Sequence, residues 1–174
     1  MTSRRSVLSM LGAGALVGCG PRLPEDATQI YTGAEVTSVQ VLKERRHLYL
    51  MHDRSVLRAY EVDLGFSADG PKQFEGDGRT PEGDYYIDRR NPESSFYLSL
   101  GISYPDASDV AFARSQGRSP GGDIFIHGVR GRRGEKPRPP TRPDWTAGCI
   151  AVTNDQMREI YWMVAVGTPI RIVA

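Results

Sequence analysis

The apolar residues of this chain come in short alternating runs separated by turn formers, and that pattern restricts the fold more than any other feature. From Ser38 onward Val39 and Val41, then Leu48 and Leu50, then Val56, Leu57, Tyr60 and Val62 are interrupted by turn residues such as His52-Asp53-Arg54. Alternation at a period of two puts one face of a strand in a core and the other in water, so two or three antiparallel strands are predicted here. Gly76-Asp77-Gly78-Arg79-Thr80-Pro81-Glu82-Gly83 reads as a turn-rich loop leading into a strand over Asp84 to Ile87, and Phe96 to Leu100 alternates again. Asp123-Ile124-Phe125-Ile126-His127 reads as a short buried strand that delivers His127 to its end.

Two segments break the pattern. Asp106 to Gln116 suits a short helix capped by Asp106 and stopped by Gly117. Thr153-Asn154-Asp155-Gln156 matches a capping box, and Met157, Ile160, Tyr161 and Val164 follow at helical spacing. An amphipathic helix is therefore predicted from Asn154 to about Val166, ended by Gly167, with a closing strand over Pro169 to Val173. The fold class is mainly β, with a packed C-terminal helix and a short accessory helix.

With 174 residues and 39% hydrophobic content there is enough chain for one core and not two. The 22 basic and 21 acidic residues nearly cancel, which argues against nucleic acid as a partner.

Residues 1–18 read as an address label. Arg4 and Arg5 precede an apolar run from Val7 to Val17 that is shorter than the roughly 20 residues a membrane-spanning helix needs. Ser3-Arg4-Arg5-Ser6-Val7-Leu8 resembles a twin-arginine export signal, and a basic start also serves the general export route, so both routes stay open. Leu16-Val17-Gly18-Cys19 resembles a bacterial lipoprotein cleavage box, which implies lipid on the Cys19 thiol and a periplasmic, membrane-anchored protein. The other reading is an ordinary signal peptide that happens to end in a cysteine. Residues 19–37, with Pro21 and Pro24, read as a tether, and residues 38–174 as the folded domain.

The chain has two cysteines. In an exported protein the first thought is a disulfide between them, but a lipidated Cys19 cannot pair, which leaves Cys149 as a lone thiol in an oxidising compartment. Ile124-Phe125-Ile126-His127-Gly128 and Trp145-Thr146-Ala147-Gly148-Cys149-Ile150 each place a reactive side chain beside glycine at the edge of an apolar run. A thiol with a pKa near ~8.5 is mostly protonated at neutral pH, so a nucleophilic cysteine needs an imidazole to take its proton. Of the three histidines, His47 and His52 read as ordinary strand residues, and His127 is the candidate base. Gly148 opens space for a substrate carbonyl, with the amides of Gly148 and Cys149 as candidate oxyanion donors. From spacing alone, a buried inert thiol at Cys149 remains an equal reading.

His127-Gly128, a loop, and then Thr146-Ala147-Gly148-Cys149-Ile150 together resemble the L,D-transpeptidase (YkuD) catalytic domain. Thr80-Pro81-Glu82-Gly83 is similar to that family's Thr-Pro-x-Gly lead into a strand, and Asn91-Pro92 through Ser103-Tyr104-Pro105 resembles its YafK-like branch. The resemblance implies a β sandwich with a helix against it, and peptidoglycan stem peptides as partners. It also implies a reaction without a cofactor, in which Cys149 attacks the carbonyl of the diamino acid at the third stem position, expels the terminal D-alanine and leaves a thioester for an amine or water to resolve. In it His127 is general base and then acid, and the Gly128 carbonyl orients the imidazole.

Two positions depart from the family pattern. Many members carry histidine before the Gly-Cys pair and arginine or asparagine two residues after the cysteine, where this chain has Ala147 and Ala151. The YafK-like branch tolerates alanine and includes hydrolases that release wall-attached lipoprotein, so crosslinking, hydrolysis and simple peptidoglycan binding are all carried forward. Thr146, Trp145 and Arg130 are candidate substrate contacts, with Trp145 either walling the pocket or anchoring its loop. The segment from Gly128 to Pro143 holds Arg130, Arg132, Arg133, Lys136, Arg138 and Arg142 against Glu135, and reads equally as a basic lid or as a solvated loop. A zinc site on His127, Cys149 and Asp123 lacks a fourth ligand, and a papain-like order would place cysteine before histidine.

Overall fold

The computed structural model describes residues 31–132 and 134–174. The predicted signal peptide, Cys19 and the first part of the predicted tether lie outside them. Ten strands and two helices follow in chain order among the described residues: β1 (Ser38–Leu42), β2 (His47–His52), β3 (Ser55–Glu61), β4 (Gly83–Asn91), β5 (Phe96–Tyr97), β6 (Ser99–Ile102), α1 (Ala107–Ser115), β7 (Phe125–His127), β8 (Gly131–Arg132), β9 (Ile150–Ala151), α2 (Asn154–Met163) and β10 (Pro169–Val173).

Eight strands form one sheet in the order β3-β2-β1-β10-β4-β6-β7-β9, and β5 and β8 make a small separate pair. The hairpins β1-β2-β3 are antiparallel, as their alternation predicts, and β10 closes in parallel beside β1. The sheet curls until its two edges meet. Beyond β3, Asp63 bridges Ala151 through reciprocal backbone bonds of 2.9 and 2.8 Å, so residues of β9 pair with the far end of the chain's first meander. The expected sandwich is thus one curled sheet, with Val39, Leu48, Leu100, Ile126, Ile150 and Ile172 fully buried between its halves.

Helix α2 covers the open side. Thr153 Oγ1 accepts the Gln156 amide while Gln156 Oε1 accepts the Thr153 amide, which is the predicted capping box. Met157, Ile160, Tyr161 and Met163 face the core, each worth about 1.5–3 kcal/mol in removed apolar surface. Glu159, on the other face, holds Arg58 and the Tyr60 hydroxyl and ties the helix to β3. The helix ends at Met163, short of the predicted Val166. Val164 turns extended, and the Gly167 amide is drawn to the carbonyl of Ile87 in β4.

The turn-rich loop before β4 is built on buried charge. Lys43 is only 3% exposed and donates to the carbonyls of Gly70 and Thr80 and to Glu82. Asp77 accepts from the amides of Gln73, Phe74 and Arg79 and from Lys72. These bonds fix the loop underneath the Gly148-Cys149 segment.

Candidate active site

His127 ends β7 between two strands, paired with Ser99 of β6 on one side and Ala151 of β9 on the other. Cys149 immediately precedes β9. In a parallel pair the side chains of matched residues share a face, and alternation puts Cys149 on the face of Ala151 and hence of His127. Both side chains line one cavity of about 460 Å³.

The imidazole is held in one orientation by the neighbouring backbone. Its Nδ1 is 2.6 Å from the carbonyl oxygen of Gly128. A carbonyl only accepts, so the proton of the neutral ring sits on Nδ1 and Nε2 carries the free lone pair. His127 is 4% exposed, and burial holds its pKa below the ordinary value, with the Gly128 bond opposing weakly. Burial likewise pushes the Cys149 thiol up, partly offset by the Phe125 backbone. Both causes favour the uncharged forms, thiol and imidazole, over the ion pair. The Cys149 thiol lies 3.6 Å from the Asp123 carbonyl oxygen, to which it donates.

Aromatic rings hold the imidazole in place. Phe96 lies 4.7 Å from it, centroid to centroid, and Trp145 stands edge-on at 5.5 Å. Trp145 both walls the cavity and anchors its loop, because its indole N–H donates to Asp63 Oδ2 at 3.1 Å. Asp63 Oδ1 accepts the Asp144 amide, and Asp144 in turn pairs with Arg46.

Gly128 has a steric reason to be glycine: a Cβ there would sit 2.4 Å from Asn154 Oδ1. That oxygen accepts the Val129 amide, so the first turn of α2 pins the His-Gly step. Gly148 adopts a φ of +136°, and a Cβ on it would lie 2.6 Å from the Arg79 carbonyl oxygen. Its small size accommodates the loop beneath it, whereas the sequence reading tied it to substrate access. Its amide donates to Thr146 Oγ1 at 3.1 Å, so as an oxyanion donor it is already engaged in this structure. Thr146 is buried and its hydroxyl donates to the Cys149 carbonyl at 2.7 Å, which braces the turn that carries Cys149.

Arg130 is not brought to the cavity. It is exposed, and its backbone bridges Arg138 within the basic loop. Conversely, sequence reasoning passed over Phe96, Asn91 and Ser94, which line the cavity, and Asp63, which holds Trp145. Among the described residues no group of three or more His, Cys, Asp and Glu side chains is placed to hold a metal.

The model of the YkuD L,D-transpeptidase catalytic domain matches residues 36–172. The chain belongs to this family. A curated relative, "Putative L,D-transpeptidase YafK" of Escherichia coli (strain K12), is 30% identical over 132 residues, which is 72% of this chain and 46% of the relative. The chain therefore spans about half the length of that protein. Among solved structures, a variant of the helical cell shape determining protein Pgp2 from Campylobacter jejuni superposes with a TM-score of 0.57 at 27% identity, covering 82% of this chain and 48% of Pgp2. The L,D-transpeptidase of Xylanimonas cellulosilytica shares the fold, with a TM-score of 0.52 at 18% identity over 83% of this chain and 63% of that one.

Proposed function

We propose that this family member modifies peptidoglycan by acyl transfer through Cys149. The observation that carries the reading is the tautomer of His127: with Nδ1–H held by Gly128, Nε2 is free in the cavity that Cys149 also lines. The thiol swings from the Asp123 carbonyl toward Nε2, gives up its proton, and the sulfur bonds to the substrate carbonyl carbon. The Cys149 amide meets the oxyanion. His127 then passes the proton to the departing amine of D-alanine, the C–N bond breaks, and a thioester remains. An amine acceptor or water, deprotonated by His127, attacks that thioester and returns the thiol.

Hydrolysis is the second reading, and Ala151 favours it. It is 3% exposed on the strand beside His127 and offers no polar group to hold an acceptor. We also propose that the protein is exported and tethered at Cys19 in the periplasm, as its first residues suggest. Incubating the protein with purified muropeptides and identifying the products by mass spectrometry tests the activity and its acceptor together. Loss of terminal D-alanine, absent with Cys149→Ala, is expected; equal conversion by both proteins would remove the mechanism.

A further inference from the structure

Among the described residues that line the cavity holding His127 and Cys149, Asp123 is the one with a formally charged side chain. The other lining residues are aromatic, small or neutral polar, so among them this carboxylate is the formal charge at the rim. Its backbone is held at a φ of +54°, an uncommon conformation for a residue other than glycine. That conformation has a use, since the Asp123 carbonyl is the acceptor of the Cys149 thiol. The side chain is 89% exposed, and its Oδ1 pairs with Arg89 at 2.9 Å. Arg89 is itself shared, pairing with Asp88 and lying over the Phe125 ring at 4.5 Å. An exposed ion pair of this kind is weak, so a cation arriving from the cavity competes for the carboxylate on nearly equal terms. The charge also reaches the sulfur: after burial and the Phe125 backbone, Asp123 is among the groups acting on the Cys149 thiol, and it pushes the thiol up.

We propose that Asp123 is the specificity contact for a primary ammonium group on the peptide entering this cavity. The inference rests on the acyl-transfer reading and adds to it which substrates are preferred: peptides with a free side-chain amine near the reacting carbonyl over those whose amine is blocked. Pairing with that ammonium also cancels a negative charge beside the sulfur as the substrate arrives.

The test uses two stem tetrapeptides that differ only in whether the side-chain amine of the third residue is free or acetylated. Their equilibrium binding is measured to the Cys149→Ala protein, which cannot be acylated. The free-amine peptide is expected to bind about three- to fivefold more tightly at low salt, with the preference shrinking as salt rises. Asp123→Asn, which keeps a residue tolerant of positive φ, should equalise the two peptides. Arg89→Gln, which frees the carboxylate, should widen the gap. Equal affinity for both peptides in the parent, no binding of either, or a preference that survives Asp123→Asn would overturn the inference. Because binding needs no turnover, its outcome is separate from whether Cys149 is acylated at all. A second arm tells whether the ammonium belongs to the donor or the acceptor. There the acyl-enzyme formed from the acetylated peptide is resolved by a peptide amine or by neutral hydroxylamine, in the proteins with Asp123 and with Asn. A selective slowing of the peptide amine in the Asn variant assigns the contact to the acceptor, and a binding effect alone assigns it to the donor.

Discussion

The Arg79 carbonyl oxygen lies 2.6 Å from the position a Cβ on Gly148 would occupy, and the backbone of Gly148 is at a φ of +136°. The residue before Cys149 is therefore fixed by the loop below it, and that loop is in turn fastened by Asp77 and Lys43. Gly148→Ala should strain both contacts. Overpacking of this kind costs about 1–3 kcal/mol, so a fall of several degrees in melting temperature is expected, with activity reduced by more than stability because the sulfur moves. Thermal denaturation beside steady-state kinetics checks this; an alanine variant with native stability and rate would contradict it.

Asp63 holds Trp145, and Trp145 stands against His127. Asp63→Asn leaves one acceptor oxygen where two N–H groups are now bound, so either the Trp145 indole or the Asp144 amide loses its partner. Losing a bond to a charged group costs about 1.5–3 kcal/mol. The expected result is a shifted Trp145 fluorescence, read in a Trp162→Phe background, with kcat/KM lowered roughly tenfold. Unchanged emission and rate would show that Asp63 does not position the ring.

The pKa directions give a pH profile. His127 is held below its ordinary value of 6.5 by burial, so it stays an unprotonated base through neutrality, and kcat/KM should be level there and fall only on the acid side of the ordinary imidazole range. For stability, the unfolded chain binds this proton more readily than the fold. The stabilisation is thus complete above about pH 6.5 and is lost as pH falls toward the lower folded value. His127→Gln, which cannot take up the proton, should flatten that acid-side loss in chemical denaturation. Cys149 has the opposite sign: its folded value is raised, so its contribution is complete below about pH 9.0 and fades as pH rises through the folded value.

What the sequence made legible was mostly local. The capping box of α2 needs only residues three apart, and Asp106 and Thr153 sit at the N-caps where their side chains predict. The alternation of β1 and β2 and the delivery of His127 at a strand end follow from period-two patterning, whereas β3 buries only Tyr60 and leaves Val56 exposed. What escaped depends on distant partners. Phe96 to Leu100 reads as one strand, but Tyr97 takes a φ of +73° and splits it, because Phe96 and Tyr97 pair with Gly131 and Arg132 far along the chain. Helix α2 stops early because β4 captures the Gly167 amide, a contact that no local pattern encodes. Asp63 meets Trp145 across 82 residues of chain, and nothing in the neighbourhood of either announces the other. Asp123 stands out in the sequence only as a spare metal ligand, whereas in the fold it is a charge at the rim of the site.

Mass spectrometry of the intact protein, quenched during reaction with a stem tetrapeptide, tests the central claim most directly. The expected product is an adduct equal in mass to the peptide less its terminal D-alanine, mapped by digestion to Cys149. The adduct should be absent in Cys149→Ala and should form about a hundredfold or more slowly in His127→Ala. A protein that releases D-alanine with no adduct on Cys149, or that forms the adduct as fast without His127, would contradict it.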